Sequence, residues 1–312
     1  MLKIVLFTVI LGASGLASPG LATSGLATSG LATSGLGSRG LGAQGSAWPV
    51  YVQANAGAEQ RPDQAAPDVA LHPQAASKQE LDDFNAAQSV IGANSAEIAA
   101  NDFAAKYPAS DLRIYLYNRA MYACQSENNP PKLLAMAQKV LSIDPDHPVA
   151  LVLTAYVLAD GMEDNDPDHV RKVEEIKRAG NRAIKVLGSA APLPLSAAPE
   201  ELPLYRTTLQ SMAYSALGMM KLKTGDDAGA EKDLLMAAGL PQTHPDPYLW
   251  YHLALAQDHR KKYAAALSSV NQALQLSSSN PDLQRMAEIE HDRLSGVSRG
   301  RDQGTTGAEP PQ

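Results

Sequence analysis

The acidic segment that ends at Glu175 contains residue types able to bind a divalent cation. Its carboxylates have the spacing of the oxygen ligands in a calcium-binding loop, and they are Asp164, Asp166, Asp168 and Glu175. Such a loop needs a glycine at its central turn, where this chain has His169. The other interpretation is that Asp166 caps a helix that opens at Pro167, with the acids stabilising its first turn. We favour the helix start and expect no metal site.

Histidine and cysteine, which also bind metals and take part in catalysis, are scattered along the chain. His252 and His259 are the nearest histidine pair, and no acidic residue accompanies them at a metal-binding spacing. The single cysteine, Cys124, cannot form an intramolecular disulfide and is expected to be a small buried residue. The sequence also lacks a nucleophile elbow, a phosphate-binding loop and a dinucleotide-binding fingerprint. We therefore expect no catalytic residue, no cofactor and no enzymatic activity.

The composition favours helices and excludes one class of partner. The chain has 312 residues, only 5% of them aromatic, and alanine and leucine supply most of the apolar side chains. The formal net charge is −7, whereas nucleic-acid binding is driven by basic side chains that displace counterions from phosphates. Nucleic acid is therefore not an expected partner.

The first 47 residues are predicted to be a signal peptide followed by a low-complexity leader. Lys3 precedes an apolar run from Ile4 to Leu11, which is too short to span a membrane. A five-residue GLATS-type repeat follows, and its glycines disfavour both helix and strand. We expect export to the periplasm or the outside of the cell. In the alternative, the segment stays uncleaved and the protein contacts the membrane through it.

A helical domain is expected over residues 78–294, between a disordered linker at 48–77 and a disordered tail at 295–312. Capping residues and prolines mark its helix boundaries. The predicted boundary residues are Ser95 and Asn280 as N-caps, Pro148 and Pro281 in the first turns of helices, and Pro108 and Pro145 after helix ends.

Within this domain, apolar and small residues repeat at fixed spacings in successive pairs of helices. One pair has Trp250, Leu253, Ala254, Tyr263, Ala266, Val270 and Ala273. The preceding pair has Tyr214, Leu217, Gly218, Gly225, Ala230, Leu234 and Ala237 at the same spacings. A looser version has Tyr117, Ala120, Met121, Leu133, Ala137, Val140 and Pro145. These spacings resemble those of the tetratricopeptide repeat family, and the N-terminal part suggests an exported bacterial member.

Two further hairpins complete the expected repeat array. A fourth unit contains Leu151, Thr154 and Ala155 and ends in a longer helix with Ala183 and Ile184, and a degenerate unit runs from Glu80 to Tyr107. The resemblance implies an all-α fold, in which antiparallel helix hairpins stack into an α-solenoid with its first helices on the concave side. The last helix, which contains Leu283, Met286 and Leu294, is expected to cap the stack.

The resemblance further implies that this protein is a non-enzymatic adaptor or scaffold of the cell envelope that binds a protein or peptide on the concave face. The candidate residues for this groove are Tyr115, Asn118, Tyr122, Val152, Tyr156, Met212, Ser215, Met219, Tyr248, Tyr251, Leu255 and Asp258. The lysine, asparagine and arginine set with which some members bind a terminal carboxylate is missing, so we expect an extended peptide with apolar side chains.

Two alternatives to this site remain open at the level of sequence. The tyrosines could instead pack against adjacent helices, in a structural subunit that is held permanently in a homo-oligomer or envelope assembly. A basic stripe is expected to be a solvated outer face, although it would also suit an acidic partner, and it consists of Arg171, Arg178, Arg182 and Lys185. Glu174 is expected to pair with Arg178.

Overall fold

Eleven α-helices make up the regular secondary structure of the part of the chain that the structure describes. A computed structural model describes residues 75–163, 166–189, 201–242 and 244–305. The helices are α1 (Lys78–Ser89), α2 (Ala93–Lys106), α3 (Arg113–Ser126), α4 (Pro130–Ile143), α5 (Pro148–Asp160), α6 (His169–Leu187), α7 (Leu202–Lys223), α8 (Asp227–Ala238), α9 (Pro247–His259), α10 (Tyr263–Leu276) and α11 (Pro281–Thr305).

Each helix contacts the next one along the chain, so that α1 to α10 form five hairpins. The first helices of most successive hairpins also meet, since α1 contacts α3, α5 contacts α7 and α7 contacts α9. Helix α11 packs on both α10 and α9, where the first helix of another hairpin would lie. The fold is therefore an all-α solenoid of stacked hairpins with a C-terminal capping helix, as predicted.

Several helices begin with a polar cap followed by proline. Asn280 accepts a hydrogen bond from the backbone N–H of Leu283 at 3.2 Å, and Pro281 opens α11. Pro148 likewise opens α5, and α4 ends at Ile143 just before Pro145. Proline suits the first turn because its missing N–H would have no intrahelical partner there. These boundaries confirm the predictions.

Two predicted N-caps are wrong. Helix α2 begins at Ala93, because Gly92 adopts a φ of 90° and turns the chain into the helix before Ser95. Helix α6 begins at His169, with Asp168 at the N-cap position. Asp166 instead accepts a hydrogen bond from the backbone N–H of Asp168 at 2.9 Å, which holds a turn ahead of the helix.

Helices α5 and α6 form one hairpin but are buried to very different extents. Eleven of the thirteen residues of α5 are buried, because α4, α6 and α7 all contact it. Helix α6 buries one face only, and the predicted basic stripe lies exposed on the other. Three of the stripe's residues pair with acids, as Arg171 with Asp168, Arg178 with Glu175 and Arg182 with Asp146. Glu174 pairs with Lys177 rather than with the predicted Arg178.

The capping helix is longer than expected. Leu283 and Leu294 are fully buried, and Met286 is half-buried. The helix then continues to Thr305, so the predicted disorder from residue 295 is wrong as far as that residue. Once a helix is anchored, each further residue that joins it gains one backbone hydrogen bond, and no proline interrupts this segment.

The remaining N- and C-terminal predictions lie outside the described residues. These are the signal peptide and leader at 1–47, the linker as far as residue 74, and the tail from 306 onward. In the part of the chain that is described, none of the helices combines the length and the apolar character needed to cross a membrane.

Candidate functional site

The inner face is the side of α3, α5, α7 and α9 that carries the twelve predicted groove residues. Neighbouring first helices close much of this face. Val152, Met219 and Ser215 are between 0% and 2% exposed. The expectation that these three line an open groove is wrong, because α7 packs directly against α5 along their length. Asn118 and Met212 are half-buried and lie closer to solvent.

A hydrogen bond on the inner face joins two hairpins that are not neighbours. The hydroxyl of Tyr156, in α5, donates to Oδ2 of Asp246 at 3.1 Å. Asp246 is also the N-cap of α9 and accepts from the backbone N–H of Tyr248 at 2.9 Å. The hairpin formed by α7 and α8 lies between the two in sequence. The contact therefore fixes the superhelical turn across two successive steps of the stack.

Tyr122 makes a comparable contact one hairpin earlier. Its hydroxyl oxygen lies 3.4 Å from that of Tyr205, so that the end of α3 meets the start of α7. Burial raises the pKa of Tyr122 well above its ordinary value, and the nearby Tyr205 adds to this effect. We call the Tyr156–Asp246 contact the clasp.

The predicted residues of α9 lie at the contact with the capping helix. The side-chain amide of Asn280 donates to the hydroxyl of Tyr248 at 3.0 Å, and Asp258 forms an ion pair with Arg293. Tyr251 packs in the apolar cluster that α9 to α11 share, and Leu255 is half-buried on the same helix. Tyr115, at the other end of the stack, packs edge-on against Phe84 of α1 with ring centroids 6.4 Å apart. Many of these side chains therefore pack against adjacent helices, which is the alternative that the sequence left open for the tyrosines.

A group of ionisable side chains surrounds the Tyr156–Asp246 contact, and we call it the junction. It consists of Tyr156, Asp160, Lys223, Asp246 and His252. The ammonium of Lys223 donates to the carbonyl oxygens of Ala159, Asp160 and Met162 at 2.8, 2.7 and 3.1 Å. A cation at this position stabilises the C-terminal end of α5 through the helix dipole. Lys223 thereby ties the ends of α5 and α7 together.

Burial shifts the pKa values of the junction groups away from their ordinary values. It raises the pKa of Asp246, against the opposing hydrogen bonds from the backbone of Tyr248 and from Tyr156. It also raises the pKa of Asp160, which Lys223 partly offsets. The pKa of His252 falls to about 4, through burial and the charge of Lys223. In the junction, burial therefore disfavours the charged forms of the His252 imidazole and of both carboxyl groups.

Unpartnered polar atoms are concentrated on the first helices. Among the described residues, three of the four buried side-chain polar atoms without a hydrogen-bond partner are Asn118 Oδ1, Ser215 Oγ and His252 Nδ1. They belong to α3, α7 and α9. A buried polar atom of this kind costs free energy, so its presence calls for an explanation.

The packing inside the hairpins shows why the repeat positions carry small residues. A Cβ atom added to Gly218 would lie 2.6 Å from Cγ of Leu234, and Ala230 and Ala266 are completely buried. Only a residue without a side chain allows α7 and α8 to approach this closely. The spacing of Tyr214, Leu217 and Gly218 predicted this close approach of the two helices.

Comparison with known proteins finds similarity to a solved structure. No family model matches the chain, and no curated protein matches it. The solved structure is a thermophilic tetratricopeptide repeat protein from Thermus thermophilus, with 15% sequence identity and a TM-score of 0.37. The match covers 68% of this chain and 95% of that one.

A cleft of about 540 Å³ lies between α6, α7 and α8, away from the predicted groove. Its apolar lining includes Val173, Ile184, Leu217 and Met220. At its edge Lys221 pairs with Asp233 at 2.7 Å.

The residues considered for metal binding and redox chemistry are engaged in other ways. Asp166 pairs with Lys172, and Asp168 and Glu175 pair with arginines of α6, while Asp164 lies outside the described residues. Over the described ranges, histidine, cysteine and acidic side chains form no group of three that could hold a metal ion. Cys124 is completely buried, as predicted, and burial raises the pKa of its thiol.

Sequence reasoning missed four residues that organise the inner face, namely Tyr205, Lys223, Asp246 and His252. Asp246 stands directly before Pro247, the same cap-and-proline signal that identified Asn280 and Pro281. That signal could have identified its capping role. Its partner Tyr156 could not be identified in this way, because 90 residues separate the two in sequence.

Proposed function

We propose that this protein is a non-enzymatic scaffold that binds a protein or an extended peptide along its hairpin stack. The observation that supports the proposal is the contact of α5 with α7 and of α7 with α9, together with the half-buried Asn118 of α3, whose buried Oδ1 lacks a hydrogen-bond partner. A peptide backbone supplies donors for such an atom. Tyr115 and Met212 supply adaptable apolar surface for the peptide's side chains.

Alanine variants on the inner face provide the test. Partners are captured from cell-envelope extract, identified by mass spectrometry and titrated against Asn118→Ala and Met212→Ala. We expect each variant to weaken binding by about 1 to 3 kcal/mol, as at an interface hot spot. Lys139→Ala is the control, since Lys139 is exposed on the second helix α4. Unchanged affinity in both inner-face variants would exclude this face as the binding surface.

A second candidate function is that of a structural subunit held permanently in an assembly. The nearly complete burial of Val152, Ser215 and Met219 favours it, because these side chains leave little open groove. Size-exclusion chromatography with light scattering separates the two functions. A monomer over the micromolar range supports the scaffold, whereas an oligomer that persists on dilution supports the structural subunit.

We further propose that the protein is exported and acts in the periplasm or outside the cell. The support is the basic and apolar N-terminal segment that begins with Met1. N-terminal sequencing of exported material should show that the leader has been removed. A sequence that starts at Met1 would instead indicate an uncleaved membrane anchor.

A further inference from the structure

We propose that the clasp is a releasable closure, at which the stack opens its inner face while neighbouring hairpins remain packed. The inference extends the proposed function. One part of it, the entry of a peptide when the stack opens, rests on that function. The opening itself does not depend on a peptide and can be measured without one.

The connectivity of the clasp makes it the point at which the superhelix can open. Tyr156 belongs to the third hairpin, and Asp246 caps the first helix of the fifth. Their hydrogen bond spans the hairpin of α7 and α8, so any uncoiling of the stack must separate these two side chains. Contacts between adjacent hairpins need not break in such a motion, because each hairpin rotates only slightly against its neighbour.

The contacts between adjacent hairpins are apolar, whereas the clasp is polar, and this difference also favours opening at the clasp. Val152 of α5 and Met219 of α7 are 0% and 1% exposed and belong to one apolar cluster, so separating these adjacent first helices would expose apolar surface to water. The clasp instead joins a hydroxyl and a carboxylate group, and water can replace both sides of its hydrogen bond. Breaking the clasp therefore costs far less than separating adjacent hairpins.

Opening also relieves unfavourable burial. Asp246 faces Tyr156 and Asp160 of α5 as well as Tyr248 of α9, and the negative charge of Asp160 opposes its own. Lys223 of α7 and the unpartnered Nδ1 of His252 lie in the same junction. Hydration of these groups offsets part of the loss of the Tyr156–Asp246 bond. This hydration lowers the net cost of opening the clasp.

Distance measurements across the clasp test this inference in the full chain without any partner. Spin labels are attached at Glu163→Cys and His244→Cys, two exposed positions beside the end of α5 and the start of α9. The native Cys124 is completely buried, so we expect it not to react under mild labelling. Pulsed electron paramagnetic resonance then gives the distribution of distances between the labels.

Two substitutions weaken the clasp with little other change. Tyr156→Phe removes only the hydroxyl, and Asp246→Ser keeps an N-cap oxygen but is too short to reach Tyr156. We expect both to shift the distribution to longer distances and to increase the ratio of open to closed molecules by about twofold to tenfold, since one hydrogen bond is lost. Tyr117→Phe is the matched control, because its hydroxyl bonds Asn101 of the adjacent helix α2 at 3.2 Å. It should leave the distribution unchanged.

Hydrogen exchange of α7 and α8 distinguishes opening from unfolding. Their amide protection should be the same in the parent and in both clasp variants. Distributions that remain unchanged in Tyr156→Phe and in Asp246→Ser would overturn the inference, and so would a parallel loss of protection in α7 and α8. If the clasp variants shift to longer distances as expected but the protein binds no peptide, only the proposed function is contradicted.

Discussion

The interface between α7 and α8 and the junction around Asp246 show two different ways of holding helices together. In the first, Gly218 lets Leu234 fill the space between two helices of one hairpin, and the contact depends on shape. In the second, side chains of hairpins that are not neighbours meet through hydrogen bonds and buried charge. An apolar contact is lost when its surfaces separate, whereas a polar contact can exchange its partner for water. The stack is therefore firm within hairpins and adjustable between distant ones.

The largest effect should come from the apolar side of this comparison. Leu234→Ala removes a completely buried side chain and should lower the free energy of unfolding by about 2 to 5 kcal/mol, through lost burial and a residual cavity. Gly218→Ala should cost about 1 to 3 kcal/mol through overpacking, partly offset by the better helix propensity of alanine. Urea denaturation followed by circular dichroism gives both values.

The double variant, Gly218→Ala with Leu234→Ala, shows whether the two residues form one packing unit. With Leu234 shortened, the methyl group introduced at position 218 finds space, so the combined cost should be smaller than the sum of the two single costs. Strictly additive costs would mean that the approach of α7 to α8 is not limited by this pair.

A second prediction concerns acid sensitivity at the start of α5. His147 is 1% exposed, and its Nδ1 accepts the backbone N–H of Ala150 at 3.3 Å as the N-cap of the helix. Burial lowers its pKa to about 4, although the nearby Asp144 opposes the shift. A buried neutral histidine contributes stability that is complete above its unfolded pKa and is lost as the pH falls from about 6.5 towards 4. The loss attributable to this residue should reach about 3 kcal/mol at most.

His147→Asn separates this effect from other titrations. Asparagine is a preferred N-cap and does not titrate, so the variant should lose less stability between pH 7 and pH 4.5 than the parent. His259→Asn is the control, since His259 is exposed and bonds Asp227 at the surface. Part of the acid sensitivity should persist, because the pKa of His252 is lowered as well. Equal losses in the parent and in His147→Asn would contradict the assigned role.

Most of the fold could be predicted from the sequence, because its repeat pattern reports on neighbouring helices. Gly218, Ala230 and Leu234 contact one another within a single hairpin, at short separations that their spacing reveals. The clasp could not be predicted in this way. Whether Tyr156 meets Asp246 depends on rotations that accumulate over two hairpins, and a small change in each rotation would separate them. For the same reason, the pattern could not distinguish open groove residues from buried ones such as Val152.

The polar side of the comparison predicts a smaller effect on stability. Tyr156→Phe removes one hydroxyl, and water can hydrate Asp246 once the clasp opens, so the free energy of unfolding should fall by about 0.5 to 1.5 kcal/mol. The same urea titration measures it. A loss comparable with that of Leu234→Ala would show that the junction is as essential to the fold as the hairpin interior.

The smallest effect is expected on the exposed face of α6. Arg178 and Glu175 form an ion pair in which the arginine side chain is 60% exposed, and water and salt screen such pairs strongly. Arg178→Ala should therefore change the free energy of unfolding by less than about 0.5 kcal/mol. The comparison becomes sharper if this value is measured at low and at high salt, because a screened surface pair contributes even less as the ionic strength rises. A destabilisation above about 1 kcal/mol that persists in high salt would show that Arg178 contributes through the packing of its methylene groups on α6 rather than through its charge.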